Sequence, residues 1–137
     1  MSNEASWRQQ RERAIASHAD AARQRREREA AEARRLIADF VQRAQERGLP
    51  AERLTARSYR GGGPYRTGLR GWYLKADRSL AVGTDGNLYL LTVPGGLSAR
   101  ITGASVAPHE PRLVVGEGGR DGESIPLQTL LERRLSG

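Results

Sequence analysis

Arg57, Tyr59, Arg60, Tyr65, Arg66 and Arg70 run on into Trp72 and Tyr73, so this stretch gathers four of the chain's seven aromatic residues among arginines. Single-stranded nucleic acid asks for that mixture. Guanidinium groups meet phosphates, and rings stack on splayed bases at about 1–3 kcal/mol per base. A plainer reading stands beside it: Trp72 and Tyr73 alternate along an extended segment, so at least one faces a core, and Gly61 to Gly63 serve as a connection.

A second set of arginines lies upstream. Arg11, Arg23, Arg25, Arg26 and Arg28 surround Ile15, the only large apolar residue between Trp7 and Ala31. Such a surface attracts either a phosphate backbone or an acidic protein through long-range charge. Residues 1–60 hold 14 Arg against nine acids, a moderate excess that is less basic than a dedicated nucleic-acid arm. Arg outnumbers Lys by 22 to one, a bias that suggests high-GC coding before it suggests arginine-specific recognition.

Two further places offer weaker chemistry. Gly116, Gly118, Gly119 and Gly122 precede an expected helix, the setting of a phosphate-cradling loop. Their spacing is one residue too long for the dinucleotide fingerprint, no Gly-Lys-Ser/Thr follows, and Glu117 and Asp121 would repel phosphate. His109 beside Glu110 could act as a general base, and with a tyrosine or arginine from 57–73 it would make an RNA-cleaving site. Zero cysteines exclude a disulfide scaffold, a cysteine zinc site and a thiol nucleophile, and two distant histidines, His18 and His109, leave little for metal or triad chemistry. No cofactor, small-molecule substrate or catalytic set is expected.

All 16 glycines and all six prolines lie at or after Gly48, which splits the chain sharply. From about Ala5 to Arg47 the residues are strong helix formers without a breaker, and Arg43, Arg47, Gly48, Leu49 and Pro50 spell out a helix end. Ala33, Leu36, Ile37, Phe40, Val41 and Ala44 form an apolar stripe that predicts docking of residues 31–47. Residues 1–30 have little to bury and no sustained heptad. They form an Arg/Ala/Glu-rich extension that is frayed or ordered by a partner, supported by pairs such as Glu4–Arg8, Arg25–Glu29 and Arg28–Glu32.

The remainder reads as a sheet. Asp85-Gly86 between Leu80–Thr84 and Asn87–Val93 predicts a two-residue type I′ hairpin with Val82 opposite Tyr89 and Leu80 opposite Leu91, apolar on both faces and therefore covered on both. Gly71 to Lys75 should precede it, Arg53 to Tyr59 should add an edge strand, and Arg100–Val106 and Arg112–Gly116 should add two more. Pro126 to Leu135 closes the chain as a short helix with an apolar face of Leu127, Leu130, Leu131 and Leu135.

The expected fold is therefore α+β. It has a long N-terminal helix, an antiparallel sheet of four to six strands over 53–116, and a short C-terminal helix at 126–135, with 31–137 forming one domain. No segment has the roughly 18–20 apolar residues of a membrane span, and no secretory leader opens the chain, so a cytoplasmic protein with no membrane partner is expected. The leading functional expectation is a non-enzymatic interaction module, an adaptor or regulatory subunit. It would present its basic helix to a protein partner or to a second copy of itself. Nucleic-acid binding through 57–73 is the alternative, and RNA cleavage a more distant one.

Overall fold

The computed structural model describes residues 3–116 and 124–137. Most of the glycine-rich loop considered above as a phosphate cradle lies outside the described residues. Helix α1 spans Asn3–Glu46. Its end is a Schellman motif: Gly48 has φ 66°, the Leu49 N–H donates to Ala44 O at 2.9 Å, and the Gly48 N–H donates to Gln45 O at 3.1 Å. Ala30, Ala33, Ile37, Phe40 and Ala44 are buried, so the expected stripe docks.

The main sheet contains β1 (Glu52–Ser58), β2 (Tyr65–Tyr73), β3 (Leu80–Gly83), β4 (Leu88–Leu90) and β5 (Thr92–Val93), in the order β4-β3-β2-β1-β5. Neighbours are antiparallel except β1 and β5, which run parallel. Only Leu91 separates β4 from β5. Its N–H donates to Ser79 O at 2.8 Å, and its carbonyl accepts from the Arg57 N–H at 2.9 Å. One stretch of chain thus joins the two ends of the sheet, which curls round an inner core of Leu54, Ala56, Tyr73, Ala81, Tyr89 and Leu91. The outer face of β2 to β4 presents Trp72, Leu80, Val82 and Leu88 to α1 and to α3 (Leu127–Ser136).

Several expectations are corrected. Arg53–Tyr59 is not at an edge, because β5 pairs with its outer side. The hairpin register is Leu80↔Leu90, Ala81↔Tyr89 and Val82↔Leu88, one residue away from the expected pairing. Only Gly86 in the turn has positive φ, at 83°, and the Gly83 N–H donates to Asn87 O at 2.9 Å. The connection is therefore the three-residue loop Thr84-Asp85-Gly86 with a left-handed glycine, not a type I′ turn that would force Asp85 into positive φ. Asp85 secures that loop by accepting from the Asn87 N–H at 2.9 Å and from the Tyr89 hydroxyl. Partial burial pushes its carboxyl up, and these hydrogen bonds outweigh it, holding the group below the ordinary carboxylate range.

Arg100–Val106 is not a strand either. Leu97–Thr102 forms a short helix, α2, started after Gly96 and stopped at Gly103, and no element follows up to Val106. Arg112–Gly116 contributes only β6 (Val114–Val115), which pairs with β7 (Ile125–Pro126). The C-terminal helix packs beside α1 on the same face of the sheet.

Candidate interaction surfaces

The first surface is the free half of α1. From Asn3 to Arg28 every residue is exposed save for partial shading at Ala21 and Ala22. Twenty-six residues at 1.5 Å each make an arm of about 39 Å. Glu29 marks where it meets the fold: its carboxylate accepts from the Leu113 N–H at 3.1 Å and lies 3.8 Å from Arg112. The expected Arg25–Glu29 and Arg28–Glu32 pairs do not form, since Glu29 turns to Arg112 and Glu32 pairs with Arg35. Glu4–Arg8 is likewise absent among the described residues. Arg23 bridges Asp20 at 3.1 Å and Glu27 at 3.9 Å, while Arg11 covers the Trp7 ring at 5.4 Å.

Trp7 and Ile15 are 64% and 63% exposed. They are eight residues apart with Arg11 midway, so all three lie along one side of the helix, and Ala19 and Ala22 extend it. Trp7 escaped the sequence-based selection of partner residues, although a tryptophan four residues before Arg11 was the signal for it. Arg23, Arg25, Arg26 and Arg28 are exposed around the arm's base.

The second surface lies on β1 and β2. Leu54 and Ala56 point into the inner core, so Arg53, Thr55 and Arg57 point outward, and the register sets Arg53 opposite Arg70 and Thr55 opposite Arg66. The register shifts between Arg53 and Thr55, which leaves extra residues on β2 around Gly68, at φ 74°. The Thr67 hydroxyl, donating to Leu54 O at 2.6 Å, and the Tyr73 hydroxyl, accepting from the Thr55 N–H at 2.9 Å, replace the missing ladder bonds. Arg66 donates to Ile101 O and Arg70 to Ala51 O, each at 3.0 Å, which steadies both side chains without neutralising them. Among the described residues no carboxylate lies within salt-bridge distance of any of these four arginines or of Arg60. Arg53 was missed in the sequence, yet its two-residue alternation with Arg57 around Leu54 and Ala56 carries the signal.

The rings fare differently. Tyr65, Trp72 and Tyr73 are buried, at 5%, 1% and 9% exposure, and only Tyr59, at 73%, is free to stack. Of the two tyrosines named as candidate stacking residues, Tyr59 is exposed and Tyr65 is turned into the fold. Tyr65 extends its hydroxyl into the space left by Gly62 and Gly95, where a Cβ on Gly95 would come within 2.9 Å of it. Tyr65→Ala is expected to lower stability by about 3 kcal/mol, as for other buried aromatic truncations, whereas Tyr59→Ala should stay within about 0.5 kcal/mol. Urea unfolding of the two variants checks this, and equal losses would contradict the placement.

His109 is exposed and is held to the edge of β4 through its backbone N–H, which donates to Leu88 O at 2.8 Å. Among the described residues no hydrogen bond or ion pair joins its ring to Glu110 or to the arginines and tyrosines of 57–73. Nor do any three His, Asp or Glu side chains among them cluster as metal ligands would. Among the described residues no helix is long and apolar enough to cross a membrane. No protein-family model, curated protein or solved structure matches this chain.

Proposed function

We propose that this chain is a non-enzymatic interaction module whose free N-terminal arm docks on an acidic protein surface. The observation that carries the reading is the arm itself, a helix continued for 26 residues beyond its last anchor with Trp7 and Ile15 bare on one side. A helix of this polarity gains little from its own fold. Its side-chain pairs contribute only about 0.2–0.5 kcal/mol each, so a partner that covers Trp7 and Ile15 supplies what the free arm lacks. Charge selects the kind of partner. Residues 3–28 hold seven arginines and four acids, so a second copy of the arm is repelled, while a helix or groove rich in Asp and Glu is attracted.

The test places a photo-crosslinking residue at position 11 or 19 of the full chain in its host cell, with position 13, on the opposite side of the helix, as control. Adducts from 11 and 19 with an acid-rich protein segment, lost on Trp7→Ala with Ile15→Ala, are the expected result. Equal adducts from position 13, or adducts only with a second copy of the chain, would overturn the reading.

A further inference from the structure

We infer that the outer face of β1 and β2 is a second binding site, separate from the arm, for the phosphate backbone of a nucleic-acid duplex. Three observations converge on it. The first is geometric. Past the pairing with β3, Arg53–Ser58 and Tyr65–Arg70 form a ribbon of sheet held at both sides, by β5 at Arg57 and Ser58 and by the Ala104 N–H, which donates to Arg66 O at 2.7 Å, and its outward face keeps Arg53, Arg57, Arg66 and Arg70 exposed. Its inner side is filled by Leu54, Ala56 and Tyr65, which keeps the outer side fixed in shape.

The second observation is electrostatic. No acid occurs between Glu52 and Asp77, and the ribbon's outward charged positions are all arginine. Arg53 directly faces Arg70, and like charges in that arrangement repel. An ordinary solvated sheet face mixes signs, whereas this one is relieved by a polyanion. Arg53 and Arg57 are four strand residues apart, about 13 Å. A duplex strand offers roughly four phosphates over that length, one per 3.4 Å of axis.

The third observation sets the mode. With Tyr65, Trp72 and Tyr73 buried, the site lacks the aromatic platform that unpaired bases need, and its donors are guanidinium forks suited to phosphate oxygens. The site therefore reads backbone rather than bases. Leu97 and Ile101 are exposed next to Arg66 and would suit an anionic bilayer, but they belong to a helix of six residues, too short to lie in a membrane interface as an amphipathic segment.

Fluorescence anisotropy of a labelled 20-base-pair duplex against the full-length protein, from about 50 to 200 mM salt, tests the proposal. Four phosphate contacts predict a log–log salt slope near −3.6, hence a loss of affinity of about 10²-fold across that range. Arg53→Ala with Arg57→Ala, neither of which makes a side-chain hydrogen bond among the described residues, should bring the slope to about half. Arg25→Ala with Arg28→Ala on the arm should leave it unchanged, and Tyr59→Ala should not favour duplex over single strand. The proposal is overturned if the duplex does not bind at the low-salt end, or if the arm variant rather than the ribbon variant lowers the slope. It is also overturned if vesicles containing phosphatidylserine bind while the duplex does not. Because the arm reading is scored by crosslinking at positions 11 and 19, either proposal can fail alone.

Discussion

Trp72→Ala should destabilise the protein by about 3–5 kcal/mol, the range for a fully buried large aromatic. Trp72 is 1% exposed and sits where three elements meet. Its ring packs edge-on against Phe40 of α1, with centroids 5.7 Å apart and planes at 86°. Its indole N–H donates to Leu49 O at 3.0 Å, tying the sheet to the residue that ends the helix. Truncation removes the ring, leaves that carbonyl without its donor, and frees the docked half of α1. Against a total stability of about 5–15 kcal/mol, the loss is a large fraction. Trp72→Phe keeps an aromatic ring against Phe40 and should cost less, part of the remainder being the lost hydrogen bond at about 1 kcal/mol. Urea unfolding followed by circular dichroism measures both; a loss below 1 kcal/mol for Trp72→Ala would mean that the helix–sheet contact is not as described.

Gly71→Ala is the second large effect, and its cause is backbone crowding. Gly71 lies opposite Gly83 of β3 on one side and Glu52 of β1 on the other. A Cβ there would overlap Val82 O and approach Gly83 Cα at 2.8 Å. Neither atom can rotate away as a side-chain tip would, so β2 and β3 must separate where the sheet supports Trp72 and Val82. Overpacking of this kind costs about 1–3 kcal/mol, and backbone contacts place Gly71→Ala at the upper end or beyond. Gly48→Ala is the comparison, since nothing lies within 4 Å of its Cβ and its penalty comes from φ 66° alone, about 1–2 kcal/mol. Gly48→Ala matching or exceeding Gly71→Ala in thermal unfolding would contradict this account.

Helical elements with several mutually consistent local signals were legible in the sequence. The stripe from Ala33 to Ala44 with the Arg47-Gly48-Leu49-Pro50 ending describes the docked half of α1 and its Schellman cap, and the leucine face after Pro126 describes α3. The sheet was legible in class but not in closure. Nothing local in Leu90-Leu91-Thr92 shows that one short stretch pairs with β3 on one side and with β1 on the other, because that depends on how the whole sheet curls. The Asp85-Gly86 pair misled by one residue, since Asp85 is held at negative φ by its bonds to Asn87 and Tyr89. The β-branched Ile101, Thr102 and Val106 imitate a strand in 100–106, yet Gly96 and Gly103 bracket a helical turn.

The candidate surfaces were legible as charge and illegible as geometry. Arg57, Arg66 and Arg70 share one face with Arg53 because the register sets Arg70 and Arg66 opposite Arg53 and Thr55, a fact about pairing and not about spacing. Tyr65 stood in a row of basic residues and still turned inward, because strand alternation outranks neighbourhood.

Hydrogen exchange along α1 in the free, full-length protein most directly tests the division into a docked helix and an unpartnered arm. Amides of Ala33 to Ala44, under the core, should open only with global unfolding, while those of residues 3–28 should exchange orders of magnitude faster, with the step at Glu29 and Ala30 where contact with the fold begins. Slow exchange continuing without a step through Ile15 to Trp7 would show the arm already covered, by a second copy or by the protein's own fold, and would contradict the claim that it waits for a partner.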